Sequence, residues 1–186
     1  MTLLYKNKIL SYLLVFLLGL LSSFSLPPYN LFFLNFISYP LFLWTLLLYS
    51  KNKITSFNLG WFFGFGFFIS NLYWITNSLT FEDTFKPLIP FALFLIPLFL
   101  GLFYGISTLI FSFLNPKKNL LSILILSTSL SFLEYLRSFL FGGFPWNLIS
   151  FSFVNYLEFI QLLSIIGTYA FNSIIILIFL LPTILF

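Results

Sequence analysis

The chain has 186 residues, of which 61% are hydrophobic, 24% aromatic and only 6% charged, where a soluble globular domain carries about 25% charged residues. Eight basic and four acidic side chains cannot clothe the surface of a chain this long, so the composition excludes a water-soluble fold. Cysteine and histidine are both absent, which removes thiol nucleophiles, disulfides, the commonest zinc ligands and the usual neutral-pH general base, and no cofactor or metal is expected.

Apolar runs of about 20 residues recur, each long enough to cross roughly 30 Å of hydrocarbon. Backbone in lipid must satisfy its own N–H and C=O groups, so each run is predicted to be helical. The predicted fold class is all-α, a polytopic transmembrane helical bundle forming one domain over 1–186, with helices near 9–26, 31–49, 57–75, 88–114, 120–141 and 159–186. The first run follows Lys6 and Lys8 and ends near Ser22, Ser23 and Ser25, a pattern shared with secretory signals, but it exceeds their usual apolar length of about 7–15 residues. The turn Pro27-Pro28-Tyr29-Asn30 leads into the second run, and Lys51-Asn52-Lys53 into the third. The third contains Gly60-Trp61-Phe62-Phe63-Gly64, a small-xxx-small pattern that permits close helix approach, and ends in Asn71, Tyr73, Trp74 and Asn77. Glu82-Asp83 precedes the fourth, where Pro90 and Pro97 are expected to tilt or kink the start and Gly101 and Gly105 repeat the small-residue spacing. Asn115-Pro116-Lys117-Lys118 leads to the fifth, and Gly142-Gly143-Phe144-Pro145 follows it.

Lysine pairs fall in alternate connections, which places those connections and the N-terminus on the cytoplasmic side. The net charge of +4 comes from these scattered pairs, with no continuous basic stripe, so no nucleic-acid partner is expected. The Pro-Pro, Glu82-Asp83 and Gly-Gly-Phe-Pro-Trp loops are assigned to the outside.

Glu134 and Arg137 lie three positions apart in the fifth run, on one helical face where they can pair. A charge inside a membrane costs about 2.5–3.5 kcal/mol or more, so the two should face protein or water. They read equally as a polar anchor for a lipid head group or outer loop and as a structural ion pair. Trp146 reads as an interfacial anchor or as part of a lipid-entry cleft, and Trp74 as a head-group contact or an interfacial anchor. Glu82 and Asp83, adjacent in one loop, make a poor glycosidase or two-metal pair. A phosphate-binding Gly-rich loop is absent, and without histidine no Ser-His-Asp triad forms.

Glu134-Tyr-Leu-Arg137, Gly143-Phe-Pro-Trp146-Asn147 and Gln161-Leu-Leu-Ser164-Ile-Ile-Gly167-Thr-Tyr169 resemble, in order and spacing, the bacterial apolipoprotein N-acyltransferase family. Leu26-Pro-Pro28-Tyr-Asn30, Pro40, and Gly60 through Tyr73-Trp74-Ile75 with Ser78-Leu79 extend the resemblance across nearly the whole chain. The resemblance implies a multi-pass inner-membrane protein of lipoprotein biosynthesis. Its relatives carry about eight membrane helices and an outer nitrilase-like domain with a Glu-Lys-Cys triad, which moves a phospholipid acyl chain, through a cysteine thioester, to the α-amine of a lipoprotein's diacylglyceryl-cysteine. No triad residue maps onto this sequence, so the expectation is a membrane-embedded N-terminal portion, truncated or split, inactive alone and without catalytic residues. Glu134, Arg137, Trp146 and Trp74 are carried as scaffold or cleft residues. Membrane phospholipid is the expected partner, with a lipoprotein substrate and a separately encoded nitrilase-like domain as further partners. The competing readings are a small transporter or lipid-binding scaffold using the Glu134/Arg137 pair, and a non-functional remnant.

Overall fold

A computed structural model describes residues 7–140, 142 and 147–185. The described residues form helices joined by turns and include no strand. Eight α-helices run in order: α1 Lys8–Ser23, α2 Asn35–Leu48, α3 Lys53–Asn71, α4 Ile89–Leu114, α5 Leu120–Leu140, α6 Leu157–Ile160, α7 Leu162–Ile166 and α8 Thr168–Leu180. Five short 3-10 segments, Phe32–Leu34, Tyr73–Thr80, Asp83–Leu88, Ile149–Phe153 and Leu181–Ile184, connect or extend them. Two helical stretches, Asp83–Leu114 with 32 residues and Leu120–Leu140 with 21, are long and apolar enough to cross a membrane.

The helix ends follow local chemistry. Asn7 caps α1 by accepting from the backbone N–H groups of Ile9 at 3.1 Å and Leu10 at 3.3 Å. Asn52 does the same for α3 through Thr55 N–H at 3.0 Å, which starts that helix at Lys53, four residues before the boundary expected from hydropathy. Pro90 sits in the first turn of α4, where its missing N–H needs no partner, while Pro97 is buried within the helix. Gly142, after α5, adopts φ +77°, as a glycine at a helix C-terminus does.

The last apolar stretch departs from expectation. Instead of one helix over 159–186, the chain forms α6, α7 and then α8, with a break at Gly167. There φ is 82° and ψ 160°, a region essentially reserved for glycine, so the helix cannot continue through it and α8 starts on a new axis.

The bundle is organised around α3, which packs on α1 along one side and α4 along the other. Both seams close to backbone distance. A Cβ added at Gly64 would fall 2.9 Å from Gly101 Cα, and one at Gly101 3.0 Å from the Phe65 backbone nitrogen. Gly60 faces Tyr104 and Thr108, and on the opposite seam Gly19 lies against the Phe63 carbonyl and Gly66 against that of Phe16. Such contact lets side chains bond across helices: Trp61 Nε1 donates to Leu98 O at 2.8 Å, Thr108 Oγ1 to Ser56 O at 2.8 Å, and Ser107 and Ser129 share a hydroxyl bond of 2.8 Å between α4 and α5. The space between is filled by rings. Phe42 stacks on Phe63 with centroids 4.2 Å apart, and Phe63, Phe67 and Phe68 surround Tyr104. α8 packs against α5 and α2, with Phe179 against Phe36 and Tyr39.

The α3–α4 seam leaves no room for a side chain. Gly64→Leu should lower stability by about 1–3 kcal/mol or more through overpacking, read as a drop in Tm of the detergent-solubilised protein. Ile165→Ala, at a position 77% exposed, should change it little.

Candidate functional site

Two features converge towards the end of the bundle where α1 and α3 finish and α2 and α4 begin. The first is a cleft of about 390 Å³. Its walls are the turn Leu26-Pro27-Pro28-Tyr29, the end of α3 with Ser70, Asn71, Tyr73 and Trp74, and the segment carrying Asn147, Phe151 and Val154. Residues separated by about 120 positions in sequence thus meet around one opening. Asn30 and Asn147 sit at the bends of two of these walls with φ of 57° and 45°, left-handed values that asparagine tolerates better than most residues. Tyr29, Tyr73 and Trp74 keep about half their surface exposed and supply amphipathic rings around the cleft.

The second feature is a buried polar cluster. Glu134 and Arg137, on α5, are 1% and 0% exposed, a depth at which an unsatisfied charge would be untenable. Each Glu134 carboxylate oxygen is met by a donor from another helix: the Tyr104 hydroxyl of α4 donates to Oε1 at 2.9 Å, and the Asn172 amide of α8 donates to Oε2. Asn172 Nδ2 also lies 3.3 Å from Ser131 Oγ, and its Oδ1 accepts from Ser150 N–H at 3.0 Å. The Arg137 guanidinium lies over the Phe68 ring, 4.9 Å from its centroid, a cation–π contact in a dry setting. One carboxylate therefore ties α4, α5 and α8 to the 149–153 segment.

The cleft and the cluster are linked through the chain. Ser150 bonds to Asn172, and the next residue, Phe151, lines the cleft. Phe68, beneath Arg137, is three residues from Asn71 in the cleft wall. Of the residues singled out by sequence, Trp74 lies in the cleft, and Glu134 and Arg137 lie together in the interior. Trp146 falls outside the described residues, as do its neighbours Gly143, Phe144 and Pro145. Sequence reasoning missed Tyr104 and Asn172 as partners of the carboxylate. The available signal was that each is a polar group in a predominantly apolar helix, where an interhelical bond is a common use.

The fold and site define a bundle of apolar helices with a hydrogen-bonded ionic core under an aromatic-rimmed cleft. Residues 18–181 match the family model described as the apolipoprotein N-acyltransferase N-terminal domain. The chain belongs to the apolipoprotein N-acyltransferase family. It is 31% identical over 182 residues to the apolipoprotein N-acyltransferase of Brucella suis biovar 1 (strain 1330), covering 93% of this chain and 34% of that protein. The enzyme of the same name from Rhodopseudomonas palustris is 33% identical over 174 residues, covering 91% and 32% respectively. That from Sinorhizobium fredii is 31% identical over 179 residues, covering 91% and 34%. The chain thus spans about a third of the length of the curated relatives it matches.

The cluster makes a quantitative prediction. Asn172→Ala removes one donor to a buried carboxylate and should cost about 1–3 kcal/mol. In a Glu134→Gln background the same change should cost a different amount, with an interaction energy of about 0.5–3 kcal/mol in a cycle of thermal melts. Strictly additive costs would show that the two side chains do not act on one another.

Proposed function

We propose that these residues form the multi-pass membrane region of an apolipoprotein N-acyltransferase in the bacterial inner membrane. The observation that carries this reading is the family match over residues 18–181, which takes in both the cleft and the ionic core beneath it. The helices cross six times, the sixth crossing starting at Thr168, with the lysine-bearing turns and the N-terminus in the cytoplasm and the cleft on the outer face. The cleft holds the lipid portions of the substrates, a phospholipid acyl donor and the diacylglyceryl-cysteine of a lipoprotein, with Trp74 and Asn147 in its wall. Glu134 and Arg137 stiffen the floor.

Bond-making belongs to other residues. The sequence contains no cysteine, so the thioester that the family resemblance implies forms on a nitrilase-like domain outside these 186 residues. In the second half-reaction the lipoprotein amine attacks that thioester, an amide forms, the carbon–sulfur bond breaks and the thiol is restored. In this division of labour these 186 residues orient lipids, and the cysteine nucleophile lies outside them.

Reconstituted alone with phospholipid and a diacylglyceryl-cysteine peptide, the chain should give no N-acyl product by mass spectrometry, and addition of a nitrilase-like domain should give one. Product from the chain alone would overturn the division of labour. Absence of product with any such domain would remove the acyltransferase reading. Orientation has its own test, since the chain is free of cysteine: in spheroplasts, an impermeant maleimide should label Glu82→Cys and leave Lys51→Cys unlabelled, and the reverse pattern would invert the topology.

A further inference from the structure

The end of the bundle opposite the cleft gathers cations. Ser11 and Tyr49 share a hydroxyl bond of 3.1 Å, Ser50 Oγ donates to Asn115 Oδ1 at 2.9 Å, and Ser112 Oγ donates to Ser50 O at 2.6 Å. These bonds draw the start of α1, the α2–α3 turn and the α4–α5 turn into one surface, which exposes Lys8, Lys51, Lys53, Lys117 and Lys118. The exposed carboxylates, Glu82, Asp83 and Glu158, belong to connections at the other end, where Asp83 already pairs with Lys86 at 2.5 Å. Among the described residues, no ion pair engages the five lysines.

A groove of about 450 Å³ opens on this surface between the start of α1 and the α2–α3 turn. Lys8, Lys51 and Asn52 supply its polar side, and Leu47 and Leu48 an apolar one. α1 and α3 both begin here and direct the positive ends of their dipoles towards it. In the turn after α2, two carbonyls that would repel an anion have donors: Tyr49 O accepts from Asn52 N–H and Ser56 Oγ, and Ser50 O from Ser112 Oγ.

We propose that this groove binds the phosphate head group of an anionic phospholipid. Two lysines and two helix starts meet the phosphodiester, and Leu47 and Leu48 meet the glycerol and the first methylenes, which a free phosphate ion lacks. Basic pockets between membrane helices on the cytoplasmic side are the setting in which anionic head groups are held. The inference rests on the membrane reading above, which places this end at the cytoplasmic leaflet. The lipid bound here is structural and distinct from an acyl donor at the opposite cleft.

Native mass spectrometry of the chain in neutral detergent tests this with phosphatidylglycerol, phosphatidylcholine of the same acyl chains and inorganic phosphate. Phosphatidylglycerol should be retained in preference to phosphatidylcholine and should resist displacement by millimolar phosphate. Each lysine removed should weaken retention about fivefold and Lys8→Gln with Lys51→Gln about thirtyfold, whereas Lys86→Gln should leave it unchanged. Equal retention of the two lipids, displacement by phosphate, or unchanged affinity in the double variant with a wild-type circular dichroism spectrum would overturn the proposal. Binding in detergent does not depend on which leaflet the groove faces or on acyl transfer, so those readings fail separately.

Discussion

The structure depends on how closely α3 approaches its neighbours. In lipid, helices gain nothing from hiding apolar surface from water, so association relies on van der Waals contact and interhelical hydrogen bonds, both of which weaken steeply with distance. Glycines at 19, 60, 64, 66, 101 and 105 bring backbone against backbone or against a ring on both sides of α3. Short polar side chains such as Thr108 and Ser112 can then reach a carbonyl on α3 or in the turn before it. Without that approach the ionic core would lose its geometry, because Tyr104 reaches Glu134 from the helix that α3 holds in place.

That constraint also explains the division between the two ends. The interior near the cleft end holds one carboxylate and one guanidinium where α4, α5 and α8 converge. Every other charged side chain among the described residues is exposed towards one end or the other. The cleft end offers aromatic rings and amides suited to the boundary between lipid and water. The lysine end offers cations next to leucines.

The all-helical architecture was legible in the sequence because long apolar runs advertise themselves by length and hydropathy. The small-residue spacings at Gly60/Gly64 and Gly101/Gly105 do lie at a helix–helix seam, and Gly142, in the glycine pair after the fifth run, takes a positive φ. The start of α3 was missed because its cap, Asn52, lies within the lysine turn and hydropathy does not register a capping bond. The last helix was misread because Gly167 is a single residue in an apolar run, where periodicity is blind to a torsion angle. For the site, the spacing of Glu134 and Arg137 put them on one helical face that had to meet protein or water, while their burial and their partners at positions 68, 104 and 172 come from other elements. Nothing local to α5 encodes those contacts.

The break at Gly167 also determines where α8 points. Asn172 lies five residues further on, less than two turns, so the direction set at the glycine is nearly all that decides whether its amide arrives at the carboxylate. An L-amino acid there would be driven out of the glycine-only region and would re-aim the helix, pulling the amide away while leaving Glu134 untouched. Charge balance in the interior is therefore steered by a residue that carries no charge, no side chain and no contact with the group it serves.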